Sequence, residues 1–306
     1  MNLSTRALGV DFQNPVLLAA GTCGFGRELE DVVDLESLGG FVTKSVTLEP
    51  RTGNPAPRVA EFPAGMLNSI GLANPGLEGA RSEKLPWIAA NVRRAHVFVS
   101  VAGHVIDEYF KLVEGLDGSD GFLGFEINLS CPNDAKRGGA PFALDPEAVT
   151  EIVAGCRART ERPILAKLAP NDPALGETVR RADEAGVDGL TLTNTMPGLL
   201  LDPESGSPEL GAGAGGMSGP ALRPAGLRAV REARTVTSLP ILGVGGVLAP
   251  VDAVAYARAG ADLVQMGTAT FAAPGAAHAL TRGLTAWGRR HGVPSWGDLV
   301  TRPESR

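Results

Sequence analysis

Long apolar runs, concentrated charge and cysteine-rich spacing are all missing from this 306-residue sequence. No stretch approaches the roughly 18 apolar residues that a membrane-spanning helix needs, and the opening residues carry no basic-then-apolar signal pattern. A cytoplasmic protein with no membrane partner is therefore expected. The formal net charge of −6, with no block of like charges, leaves no electrostatic footprint for nucleic acid. Cysteine is scarce: Cys23, Cys131 and Cys156 are an odd number without CxxC spacing, and only four histidines accompany them. That argues against both a disulfide framework and a zinc site, so no metal is expected.

What is present describes a globular chain with a large core: 43% hydrophobic and 20% charged residues, with 40 glycines and 23 prolines. Short aliphatic, strand-like runs recur at 16–20, 40–44, 96–101, 123–129, 163–168, 188–194, 240–246 and 261–267. Amphipathic segments with clear punctuation lie between them. Asp145 and Pro146 suit the cap and first position of a helix whose apolar face is Val149, Ile152, Val153 and Cys156. Asp172 and Pro173 open another that Gly186 closes, and 251–259 form a short helix ended by Gly260. Strand then helix, eight times over, predicts a (β/α)8 barrel. No linker, repeat or low-complexity stretch marks a second domain, so one barrel domain over residues 1–306 is expected.

Two connections exceed plain βα loops: about forty residues after Lys44, and the glycine-rich 199–218. Long loops at the C-terminal ends of barrel strands are commonly functional. The polar residues at those ends are Lys44, Ser100, Asn128, Lys167, Asn194 and Thr195, followed by Gly245 and Gly246 after the seventh strand and Gly267 and Thr268 after the eighth. Each glycine pair alone reads equally as a tight turn. Together, at strands seven and eight, they suit a phosphate held by backbone N–H groups and the dipole of a following helix. "VTKS" and "LAKL" embed Lys44 and Lys167 in apolar strands, where a lysine needs negative charge beside it; the ordinary alternative is a surface lysine paired with a carboxylate.

The motifs "NLSCPN" at 128–133, "TKSVT" at 43–47, "NSIGLANPG" at 68–76, "TNT" at 193–195, "GGMSGPAL" at 215–222, "GVGG" at 243–246 and "QMGTA" at 265–269 occur in order. From about residue 14 to 271 the chain resembles the dihydroorotate dehydrogenase family, and "CPNDAKRGGAPFALDPE" is most similar to its class 1B catalytic subunits. The resemblance implies an FMN barrel oxidising dihydroorotate to orotate in pyrimidine biosynthesis, a homodimer core, and a second subunit with FAD and an iron-sulfur cluster that passes electrons to NAD. The membrane-bound class has serine as base and an N-terminal membrane extension, and neither is in this sequence.

By the same resemblance Cys131 is the base, because oxidising a C–C bond next to a carbonyl needs one group to take the acidic proton while flavin takes the adjacent hydride. Asn68, Ser69, Ile70, Gly71, Leu72, Asn128, Asn133, Asn194 and Thr195 form the pyrimidine cradle. Lys44 touches both flavin and substrate carboxylate, and Lys167 lies at the flavin's pyrimidine end. Ala20, Gly21, Ser45, Ser100, Asn128 and Thr193 complete the flavin contacts, with Gly219, Gly245, Gly246, Gly267 and Thr268 on its phosphate. Pro132, Gly138 and Gly139 suit a loop that closes over the base. Two positions depart from the family's pattern: Ser100 stands where asparagine is usual, and Ala20 where serine is frequent. Cys23 has no assigned role, Cys156 reads as a packed helix thiol, and the histidines read as structural. Two other readings share these residues: a flavin oxidoreductase acting on another pyrimidine or a specialised metabolite, and a barrel that binds flavin or pyrimidine without turnover.

Overall fold

The computed structural model describes residues 1–130 and 141–302. Eight strands close into a parallel barrel: β1 (Val16–Leu18), β2 (Gly40–Val42), β3 (His96–Val101), β4 (Gly124–Asn128), β5 (Ile164–Leu168), β6 (Gly189–Leu192), β7 (Ile241–Val244) and β8 (Leu263–Met266), with β5 paired to β6 and β8 to β1. All eight expected strands are present; His96–Val101 matches its apolar run, and the others are slightly shorter than theirs. They are almost wholly buried, as parallel strands covered by helices outside and side chains inside must be. Among the described residues no helix is long and apolar enough to cross a membrane.

Among the described residues seven helices of seven residues or more follow the strands: α1 (Leu85–Asn91), α2 (Ile106–Asp117), α3 (Pro146–Arg157), α4 (Leu175–Glu184), α5 (Arg223–Arg234), α6 (Pro250–Ala259) and α7 (Ala276–His291). The expected caps of α3 and α6 hold: Asp145 accepts from the N–H groups of Glu147 and Ala148, and Gly260 ends α6 at φ 118°. α4 begins later than expected. Asp172 spends its carboxylate on Ala174 N–H and the Thr178 hydroxyl, so the regular helix starts at Leu175. The strand–helix alternation also fails once. Between β1 and β2 lie only two short 3-10 turns, because Gly21, Gly24 and Gly26 all take positive φ and break any longer helix.

The barrel floor is apolar. Leu17, Val42, Phe98, Leu165, Leu242 and Leu263 pack with Phe12, delivered by an antiparallel N-terminal hairpin (Thr5–Ala7 with Val10–Phe12). Burying Phe12 completely removes a phenyl ring from water, and truncating it to alanine would cost about 3–5 kcal/mol. Only the other end of the barrel is left open for chemistry.

At that end the two long connections join. The first contributes Val59–Phe62 and Gly65–Asn68, the second Met196–Gly198 and Gly215–Ser218, and together they make a four-stranded antiparallel sheet. Met217 pairs with both Leu67 and Met196. Segments some 150 residues apart thus share one ladder over the mouth.

Candidate active site

Side chains two apart on a strand share a face, so above the apolar floor the next inward layer comes from Ser100, Glu126, Lys167, Thr191 and Gln265, all of them buried. Glu126 Oε1 accepts from Lys167 Nζ at 3.2 Å, and Oε2 accepts from the Thr191 hydroxyl at 2.9 Å and from Gln265 Nε2 at 3.4 Å. Desolvating an ion pair this completely costs several kcal/mol per charge unless hydrogen bonds complete it. Here the carboxylate is well supplied with donors.

Lys44 is the second cation of this layer and makes no ion pair among the described residues. Its pKa is held below the ordinary lysine value, chiefly by burial and further by the charge of Lys167. Two lysines against one carboxylate leave the mouth with excess positive charge, which an anion would neutralise.

A chain of amides and hydroxyls runs along the rim. Ser45 Oγ lies 2.8 Å from Ser100 Oγ, Asn128 Nδ2 donates to Ser45 Oγ at 3.2 Å, and Asn194 Nδ2 donates to Asn128 Oδ1 at 3.1 Å. Tyr109 donates its hydroxyl to the Asn128 carbonyl at 2.8 Å and fixes that strand end from the helix side. Ser100 is fully buried, and its hydroxyl is engaged with Ser45. The shorter side chain at this departure therefore braces a neighbour. Ala20 packs against the apolar interior of the barrel, whereas Gly21 takes φ +83°, and a Cβ there would lie 3.7 Å from Lys44 Nζ.

The residues of the two insertions that were expected to cradle a pyrimidine meet at one strand. Asn68 Nδ2 donates to the Gly216 carbonyl at 3.1 Å, and the Thr195 side chain packs so closely on Gly216 that a Cβ there would sit 2.1 Å from Thr195 Oγ1. Asn194 Oδ1 accepts from Thr195 N–H at 2.7 Å. The turn Ile70–Gly71–Leu72 uses positive φ at Gly71 and Leu72. Asn74 clamps it by donating to the Leu72 carbonyl at 2.7 Å, and Asn54 Nδ2 reaches Ser69 Oγ at 2.8 Å.

The other end of strand Gly215–Ser218 reaches the glycine turns. Thr268 donates its hydroxyl to Ser218 Oγ at 2.7 Å; Gly219, Gly245 and Gly246 take φ of 91°, 127° and 68°. A Cβ on Gly246 would stand 2.8 Å from the Gly219 carbonyl, so these turns are in contact. Among the described residues the N–H groups of Gly246, Gly267 and Thr268 make no turn or loop hydrogen bond to another backbone group. An acceptor from outside would satisfy them. The expected helix dipole is weak here: a single turn, Ala269–Ala272, follows Thr268, and α6 begins only at Pro250. Arg223, paired with Asp252, stands beside Gly246 instead.

Among the described residues three buried side-chain oxygens have no partner: Thr193 Oγ1, Gln265 Oε1 and, just past the end of β4, Ser130 Oγ. Buried polar atoms without partners are rare enough to mark where a polar ligand fits. Cys131 and Asn133, and Pro132, Gly138 and Gly139 of the expected closing loop, lie outside the described residues. Apart from Ala20, the other expected site residues lie at strand ends or in the two insertions at the open end of the barrel.

A family model described as dihydroorotate dehydrogenase matches residues 2–287. The chain belongs to the dihydroorotate dehydrogenase family. Within it, the chain is 41% identical to the dihydroorotate dehydrogenase B (NAD(+)) catalytic subunit of Pelobacter propionicus, over 98% of this chain and 97% of the relative. It is 40% identical to the protein of the same name from Geotalea daltonii, over 98% and 97%. A Solibacter usitatus protein, provisionally named dihydroorotate dehydrogenase A (fumarate), is 42% identical over 97% of each. Relatives of this dihydroorotate dehydrogenase chain thus carry both class names at equal similarity.

Sequence reasoning passed over Glu126, Thr191, Gln265, Arg223 and the Asn74 clamp. Glu126 was the most accessible: a glutamate inside an apolar strand, two residues before Asn128, must share its inward face. Cys23 and Cys156 are both buried, which pushes each thiol up to about 12. Among the described residues Cys23 donates only to the Val42 carbonyl, at 3.4 Å.

Proposed function

We propose that this chain is a single flavin-binding barrel that oxidises dihydroorotate to orotate in pyrimidine biosynthesis, with FMN as its bound cofactor. The observation that carries the reading is the excess cation of Lys44 and Lys167 over Glu126, set beside the amide rim of Asn68, Asn128 and Asn194. A carboxylated ring whose edge alternates carbonyls and N–H groups matches both features.

FMN, when bound, supplies the hydride acceptor. Lys44 holds the substrate carboxylate, and the carboxamides of Asn68, Asn128 and Asn194 orient the ring so that the C–H beside its carbonyl faces Cys131. Cys131 Sγ takes that proton, the adjacent carbon gives up its hydride, and the ring gains a C=C bond. Gly245, Gly246, Gly267 and Thr268 hold the phosphate by backbone N–H groups, joined by Gly219. Thr193 and Gln265 offer their unpartnered oxygens to the cofactor's polar edge. Ala20, Gly21, Ser45 and Ser100 line its flank, and Ser69 to Leu72 complete the ring's cradle.

The protein works in the cytoplasm as a homodimer core with an iron-sulfur/FAD subunit that delivers electrons to NAD; the naming of several relatives as NAD(+) catalytic subunits supports this. The Solibacter relative favours a second reading in which fumarate accepts the electrons directly. Anaerobic mixing of the purified, oxidised protein with dihydroorotate tests the reaction: the flavin absorbance should bleach rapidly, and far more slowly at neutral pH in Cys131→Ser. Bound flavin that stays oxidised with dihydroorotate refutes the substrate. Turnover with fumarate by the chain alone would replace the NAD reading.

A further inference from the structure

The reaction as proposed uses Lys167, but not the carboxylate to which Lys167 is bound. Glu126 is completely buried, and each of its oxygens is engaged: one by Lys167, the other by Thr191 and Gln265. Because Glu126 takes the Nε2 donor of Gln265, it fixes that amide's orientation and leaves Oε1 as the unpartnered acceptor. The same carboxylate cancels much of the field that Lys167 projects into the mouth. One residue thus governs both the charge and the hydrogen-bond polarity below the cofactor cradle.

We propose that Glu126 is a positioning residue that sets the balance between oxidised and reduced cofactor by neutralising Lys167 and orienting Gln265. This rests on the reading of the site as an FMN site. A flavin gains negative charge on reduction, and an unneutralised Lys167 would favour that state more strongly than a Lys167 already paired. Glu126 therefore restrains the flavin potential, leaving the reduced form ready to pass its electrons on. An apolar residue of the same size would fill the space equally well, and desolvating a buried pair makes it a poor stability device. The charge is better explained by its effect on the site.

The test is a redox titration of the FMN-loaded protein against a dye of known potential, for wild type, Glu126→Gln, Lys167→Met and the double variant. Glu126→Gln should shift the balance toward reduced flavin by about tenfold, which is about 30 mV upward for a two-electron couple. Lys167→Met should shift it the other way. In the Met background no ammonium is left for Glu126 to neutralise, so adding Glu126→Gln should move the balance by much less. An equal shift in both backgrounds, or none in either, overturns the proposal, as does a loss of thermal stability with the potential unchanged. Thr191→Val removes one donor that screens the carboxylate and leaves its charge in place. It should move the potential the opposite way from Glu126→Gln and by less, and it stands in where Glu126→Gln fails to fold; an unmoved potential in that variant refutes the idea. A wild-type protein that takes up no FMN removes the functional reading and this inference together, whereas an FMN-loaded variant with unaltered potential removes the inference alone.

Discussion

Gly246→Ala is the sharpest probe of the proposed phosphate cradle. Gly246 sits at φ +68°, where a residue with a Cβ costs about 1–2 kcal/mol. Its added methyl would stand 2.8 Å from the Gly219 carbonyl oxygen and 2.8 Å from Arg223 Cβ. The first of these neighbours is backbone, so relief requires the Gly219 and Gly246 turns to separate. That separation pulls the N–H groups of Gly245 and Gly246 away from the acceptor they would share. A hydrogen bond to a charged group contributes about 1.5–3 kcal/mol, so losing one weakens FMN binding about 10- to 100-fold. Titrating deflavinated protein with FMN, followed by quenching of flavin fluorescence, reads this directly, while thermal unfolding of the unloaded protein should fall by only a few degrees. Gly275→Ala is the internal control: φ is −77° and a Cβ there meets nothing within 4 Å, so both readings should match wild type. Unchanged FMN affinity in Gly246→Ala would refute a phosphate at these turns.

Other expectations concern protons and thiols. Lys44 titrates below the ordinary lysine range because burial and Lys167 disfavour its charge; a bound orotate carboxylate favours that charge. Binding should then take up a proton between the free and bound values, and affinity should fall as pH rises through that window. Calorimetry in buffers of different ionisation enthalpy measures the uptake, and an equal uptake in Lys44→Met would sink the assignment. Iodoacetamide at pH 8 should label Cys131 alone in the native protein. With Cys23 and Cys156 pushed up to about 12 by burial, their thiolate fraction is about one in ten thousand. Peptide mapping that finds either of them modified as fast as Cys131 would contradict this.

Much of the barrel was legible in one dimension. Continuous aliphatic runs such as 96–101 and 163–168 can only be strands covered on both faces, and Asp145 with Pro146 announces a helix start by local chemistry. The rim residues were legible for the same reason, since a polar group ending an apolar strand has few other places to go. The missing first helix was less visible, because it turns on three glycines adopting positive φ, which glycine permits but does not compel. The helix expected to lend its dipole after Thr268 was not legible, because only tertiary packing decided that the chain there makes a single turn.

The sequence by itself determined the period of the chain, the location of its strand ends and the residue types that converge on one mouth, since these follow from local propensity and the closure of a parallel barrel. Only the tertiary structure decided that residues 59–68 and 196–218 share an antiparallel sheet, that Phe12 plugs the floor, and that Glu126 faces Lys167 from the neighbouring strand. Each of those depends on register between segments distant in sequence. Register is set by which side chains can be buried together, and a linear pattern does not encode that pairing.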